Sequence, residues 1–230
     1  MKKTIIIVLL LAGFLGARHS QAQEMGVSFS FFFPKDGYFS APISPFSLRG
    51  LGFNITRNLA IESGFSLYRM SGMNVSGLDF ETKEPIVGPF FNLMVPAELI
   101  LQFGNESFEF RLKGGGFAFY NFGTKLNYGN FDRAIRSHLS WEVANAQLDY
   151  DNKVGFGYEF GTEIISYFTR SFGISIGANY YVGGAEMNLR GSVSGGSEAS
   201  PIRTVRLDYP GSKLDYTGLE ISMGVIFTPQ

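Results

Sequence analysis

The stretch Ser137-His138-Leu139-Ser140-Trp141-Glu142 sets a hydroxyl, an imidazole and a carboxylate close together. In an extended chain His138 and Ser140 would share a face, the arrangement by which a histidine takes the proton of a nucleophilic serine while an acid orients the ring. A second body of chemistry is spread along the chain: Glu62, Glu98, Glu109, Glu159, Glu163 and Glu220, with Arg111 and Lys113. Six acids against two bases leave an excess that must be protonated, hydrated or neutralised by cations, because unpaired buried charge is costly. Two readings follow: a structural polar core, in which these acids pair with Arg111, Lys113 and tyrosine hydroxyls, or a narrow cation path. With no Cys, no metal-ligand spacing, no phosphate loop and no nucleophile elbow, neither a cofactor nor a metal is expected.

The elements that carry these residues alternate with a period of two. Met25–Phe33, Ser47–Thr56, Leu59–Met70, Phe90–Phe103, Phe108–Phe122, Lys153–Tyr167, Phe172–Val182 and Tyr216–Phe227 each set an apolar, aromatic-rich face against one of Gly, Ser, Asn and the charged residues above. Such alternation is the strand signal. In the fifth segment, for example, Phe108, Phe110, Leu112, Ala118 and Tyr120 oppose Glu109, Arg111 and Lys113. Pro96 falls inside the fourth strand with parity kept on both sides, so a local kink or a lost ladder bond is expected there. The run Gly114-Gly115-Gly116 should bend the neighbouring strand in the same zone.

Connections alternate too. Arg57-Asn58, Gly104–Ser107 and Phe168–Ser171 are tight, whereas Pro34–Phe46, 71–89, Gly123–Asn152 and Gly183–Asp215 are long. In the last loop Met187/Leu189 and Val205/Leu207/Tyr209 alternate around a flexible polar tip, Ser192–Ser197, which suggests that the wall continues as a hairpin. Leu126/Tyr128 and Leu148/Tyr150 suggest the same for Gly123–Asn152. Aromatics gather at both ends of the segments: Phe103, Phe108, Tyr167, Phe168, Phe172 and Phe227 near the tight turns, and Tyr68, Phe90, Tyr120, Phe122, Tyr180, Tyr181 and Tyr216 near the long loops. Two such bands are what a membrane-spanning barrel places at headgroup level. A soluble ligand-binding barrel would alternate as well, but its apolar face would turn inward. Here the apolar face is free of charge at mid-strand and the other face is narrow and polar, which fits lipid outside and a packed lumen inside.

The first residues agree. Lys2 and Lys3, the apolar stretch Thr4–Ala17 and the small residues of Ser20-Gln21-Ala22 read as a signal peptide (1–22) cleaved after Ala22, leaving a barrel domain at 23–230. The apolar stretch is too short for a spanning helix. Cleavage removes Lys2, Lys3 and Arg18, so 19 basic residues become 16 against 20 acidic, a net of −4, and no basic stripe suggests nucleic acid. Gly (29) and Phe (24) are abundant, a mix of turn-former and strand-former that suits an all-β chain.

From Met25 to Phe227 the pattern resembles the eight-stranded outer-membrane barrels typified by the transmembrane domain of outer membrane protein A and its X and W relatives. The resemblance rests on architecture rather than on a motif. It implies an all-β, up-and-down transmembrane barrel of a Gram-negative cell envelope, monomeric, with tight turns facing the periplasm and long loops outside. It also implies contact with outer-membrane lipid and lipopolysaccharide, and insertion machinery that reads the last strand, Leu219, Ile221, Met223, Val225 and Phe227. Thr228-Pro229-Gln230 after that aromatic depart from relatives that end on it. No peptidoglycan-binding domain follows, so anchoring is not expected. The His138-x-Ser140 pair is similar to that of barrel hydrolases that deacylate lipid A, but the position of their acid is Asn152 here, so no enzyme is expected. The expected function is structural or surface-interacting through loops 123–152 and 183–214. The alternatives are a narrow porin-like transporter of small cations or apolar solutes, and a lipid A-modifying hydrolase.

Overall fold

The computed structural model describes residues 25–38 and 46–228; the expected signal peptide, the middle of the first long loop and Pro229-Gln230 lie outside them. Eight strands follow in order: β1 Met25–Pro34, β2 Phe46–Thr56, β3 Leu59–Met70, β4 Phe90–Gly104, β5 Phe108–Phe122, β6 Gly155–Thr169, β7 Phe172–Glu186 and β8 Gly218–Phe227. Each pairs antiparallel with its sequence neighbours, and β8 pairs back onto β1 from Met25↔Phe227 to Pro34↔Gly218, closing an eight-stranded barrel. Closure leaves no strand edge bare, the condition for sheet to cross a membrane.

The period of two sorts the side chains. Phe29, Phe156 and Met223 stand 63%, 66% and 58% exposed on the outside, whereas Ser30, Glu159 and Glu220 are buried inside. Among the described residues, Arg69 and Glu186, both at the long-loop ends of their strands, are the only charged side chains that point outward from the eight strands. Pro96 keeps its parity: it pairs in register with Phe117 on the β5 side, while pairing with β3 lapses between Ser63↔Ala97 and Ser66↔Met94. The Ser63 hydroxyl donates instead to the Pro96 carbonyl at 2.7 Å.

The register of β2 against β3 shifts twice, between Asn54 and Thr56 beside the tight turn and between Leu48 and Leu51 at mid-strand. Leu48 pairs with Phe65 and Leu51 with Ser63, so Arg49 and Gly50 together oppose Gly64. Gly50 adopts φ 84, a left-handed conformation that favours glycine, and the bulge keeps Ser47, Arg49, Gly52 and Asn54 all turned inward.

The last two long loops fold rather than trail. Residues 128–139, expected as one arm of an extended hairpin, form helix α1 (Tyr128–Leu139). Phe131 and Ile135 are buried one turn apart, Asn127 caps the start by accepting from Asn130 N, and Ser140 ends the helix at φ 54. Only Leu126/Tyr128 supported the extended reading, too short a run against the helical spacing that follows. The second hairpin exists, Leu189–Ser197 against Ser200–Tyr209, but it does not prolong the wall: it joins Val143–Asp149 in a separate three-stranded sheet. The expected flexible tip Ser192–Ser197 is therefore paired strand, held on both sides.

Replacing Gly50 by Val should cost about 1–2 kcal/mol, the penalty of an L residue in left-handed backbone. Urea unfolding of the barrel in micelles, followed by gel mobility, measures it; an unchanged midpoint would mean that the bulge is not required.

Candidate functional site

The lumen is filled in layers. Nearest the tight turns, Ala60, Ile100, Ile165 and Ile226 form an apolar floor. Above it lies the charged layer: Glu62, Glu98, Arg111, Lys113, Glu159, Glu163 and Glu220 are buried, and Glu109 is partly so. Lys113 Nζ meets Glu163 Oε2 at 2.8 Å. Arg111 reaches Glu62 at 3.6 Å and Glu163 at 3.8 Å and is paired with Glu109. A void of ≈ 20 Å³ touches Arg49, Glu62, Arg111 and Glu163, room for about one water.

Arg49 was not among the expected lumen residues. Its guanidinium contacts Glu98 at 3.5 Å and Glu220 at 3.3 Å. Strict alternation from Leu51 backwards puts Gly50 inside and Arg49 outside; the three-residue step from Leu48 to Leu51 is the sign of the bulge that reverses this. Glu220 is the centre of the layer, fully buried, and accepts from the hydroxyls of Tyr68 at 2.8 Å and Tyr181 at 2.6 Å as well as from Arg49. Each ion taken from water costs several kcal/mol, and only such convergence of donors repays it.

Above the charges the lumen becomes aromatic. Tyr216, placed by sequence in the outer girdle, is fully buried inside, its ring 4.8 Å from Phe32 and 4.6 Å from Phe119. Its hydroxyl donates to Asn92 Oδ1 at 3.2 Å, and Asn92 donates to Asn121 at 2.7 Å. Tyr68, Phe90 and Tyr181 also turn inward, joined by Phe32 and Phe117. The cause is parity: Tyr216 lies just before β8, two residues from Gly218 and four from Glu220 on the inward row, and density of aromatics near a loop does not reveal which face they take. Of the other girdle candidates, Phe103, Phe108, Tyr120, Phe168 and Phe227 are exposed, while Tyr167, Phe172 and Tyr180 are half-buried. The exposed wall between these ends is a continuous apolar band, and a band of that extent is solvated by lipid, not water. The chain is an integral membrane β-barrel.

No protein-family model matches this barrel, and no curated protein is significantly similar to it. Among solved structures, the outer membrane protein OprG of Pseudomonas aeruginosa is 13% identical, with 92% of this chain and 98% of that one covered and a TM-score of 0.47. A major outer membrane protein of Thermus thermophilus is 9% identical over 90% and 99%, with a TM-score of 0.46. Outer membrane protein W of E. coli is 13% identical over 92% and 100%, with a TM-score of 0.40.

The aromatic plug runs on into the cap. Met70, Met73, Val75, Ile86 and Val87 join it to Phe131, Ile135, Trp141, Leu189, Val193 and Leu207 in one buried cluster. The edge of Val143–Asp149 that faces α1 is closed by Asp132, which accepts from Ala146 N at 2.9 Å. Burial pushes the Asp132 carboxyl above its usual range. Asp151 is held below its usual range, by a hydrogen bond from Asn188 (2.8 Å) first and by Arg190 (3.1 Å). His138 is exposed near the end of α1, its ring 5.6 Å from Phe80, and Ser140 is the helix cap. The two are not on an extended strand, so the shared face assumed for them does not arise.

Removing Glu220 leaves Arg49 with Glu98 alone and takes the acceptor from two buried tyrosine hydroxyls, so Glu220→Ala should lower stability by about 3–5 kcal/mol and Tyr68→Phe by about 1.5–3 kcal/mol. Unfolding midpoints in micelles decide, and equal effects would show that Tyr68, not Arg49, governs Glu220. Asp132 makes a separate pH prediction. Because its folded pKa is raised, the protonated form is favoured in the folded cap, and stability is lost as pH rises through that pKa. Asp132→Asn should therefore exceed the wild type at neutral pH and converge with it under acid conditions, read by proteolysis of the cap.

Proposed function

We propose that this barrel is a closed, non-enzymatic carrier that presents a folded cap at the cell surface for binding. The observation that carries the reading is the continuous packing of the lumen plug into the cap: the three later long loops share one hydrophobic core with the barrel top, so they form a fixed surface rather than mobile links. The outer face of the three-stranded sheet is exposed and mostly polar, with Asn145, Gln147, Arg190, Arg206 and Asp208 on it and Val143 and Ile202 at one end. A rigid polar sheet held above the membrane suits recognition of a polar partner outside the cell.

Transport is disfavoured by the filling of the lumen, from the Ile100/Ile165 floor to the stacked rings of Phe32, Tyr216 and Phe119. Catalysis is disfavoured by the placement of His138 on a helix and Ser140 at its cap. At the outer-leaflet level a notch of ≈ 710 Å³ is lined by Phe156, Tyr158 and Val182 with Lys153, Glu186 and Lys213 beside them. Its apolar side continues the lipid-facing band and its polar side suits a phosphorylated lipid head such as that of lipopolysaccharide. The apolar row Leu219, Ile221, Met223, Val225 and Phe227 on β8 is the surface that insertion machinery would engage.

In planar bilayers the wild type and Glu159→Gln should both leave the current at baseline. Stable conductance steps from the folded wild type would replace this reading with transport, and a lipid A profile altered by the wild type but not by His138→Ala would replace it with catalysis.

A further inference from the structure

We propose that Glu98 and Glu159 hold a small monovalent cation inside the barrel, above the bare backbone of Gly115. Gly115 is the Cα partner of Glu98 on one side and of Glu159 on the other. Gly115 places no side chain between these two inward carboxylates. Both residues are 3% exposed. Among the described residues, three of their carboxylate oxygens, Glu98 Oε1 and both oxygens of Glu159, have no hydrogen-bond partner.

The charged and phenolic donors of the layer are already engaged. Arg49 reaches the other oxygen of Glu98 at 3.5 Å and spends its second amino group on Glu220 at 3.3 Å. Tyr181 is the Cα partner of Glu159, yet its hydroxyl proton goes to Glu220 at 2.6 Å, as does that of Tyr68 at 2.8 Å. Lys113 is bound to Glu163, and Arg111 to Glu62, Glu109 and Glu163. Counted over the layer, six glutamates face Arg49, Arg111 and Lys113, an excess of three negative charges. A carboxylate kept that far from water requires a neutralising partner. A proton shared between Glu98 and Glu159 would satisfy two of the three free oxygens, whereas a cation can be coordinated by all three. A divalent ion would need further oxygen ligands or several retained waters beside the two carboxylates, and no described group of three or more acidic or histidine side chains is arranged for one. The chemistry therefore selects a weakly held monovalent ion such as sodium or potassium.

The full barrel is refolded into detergent micelles with sodium, potassium or N-methyl-D-glucamine as the only cation at equal ionic strength, and the folded fraction is followed against temperature by gel mobility. The wild type should melt about 5 °C higher in sodium or potassium than in the bulky organic cation. Glu159→Gln, whose neutral amide needs no counter-ion, should lose that difference, while Glu106→Gln in the exposed turn should keep it. Equal melting temperatures for the wild type in all three cations would overturn the proposal and leave Glu159 as a neutral acid. A cation dependence that survives in Glu159→Gln would overturn it too, by placing the ion elsewhere. Equal wild-type melting in the three cations overturns the proposal even if Glu159→Gln fails to insert.

Discussion

The narrowness of an eight-stranded barrel governs everything else in this molecule. Its interior is just wide enough for side chains, so whatever the inward rows carry must pack and be satisfied there, with space for little water. The rows carry glutamates, and the structure answers with three cations and two tyrosine hydroxyls gathered into one layer, floored by isoleucines and roofed by rings. Outside, the same alternation produces the apolar band that lipid covers. One periodicity thus sets both the membrane and the lumen.

The strands themselves are readable because alternation sustained over ten or more residues arises in little besides a sheet with two unlike faces. The eight segments sit within two residues of the observed strands at most ends, β7 running on to Glu186. The polar face is readable for the same reason. Parity fails wherever a bulge intervenes, and Arg49 is hidden by one extra residue at Gly50. Aromatic position along a strand is also silent about side, which is why Tyr216 reads as part of the girdle. Phe32, Phe117 and Phe119, which sit on the polar parity of their strands, are signals of the plug that alternation with Gly and Ser obscures. Helix α1 is concealed because the two-residue alternation at Leu126/Tyr128 competes with the Phe131/Ile135 spacing.

The charged layer and the cap illustrate two ways of stabilising an irregular part of a membrane protein. In the layer, directed bonds to buried ions hold the side chains, and their geometry leaves little freedom. In the cap, burial of Phe131, Trp141, Val193 and Leu207 dominates, and the polar groups serve mainly to close ends and edges, as Asp132 does for Ala146. The two meet at the aromatic plug, where Tyr68 and Tyr181 contribute rings to one and hydroxyls to the other.

The alternation within the three-stranded sheet has a consequence for how this protein can change over time. Ala146, Val193 and Leu207 are locked into the core, but their immediate neighbours Asn145, Gln147, Arg206 and Asp208 face water and touch little. Half of the exposed hairpin is therefore free to drift in sequence while the other half keeps its shape. The outward chemistry of this sheet can thus change position by position on an unaltered frame.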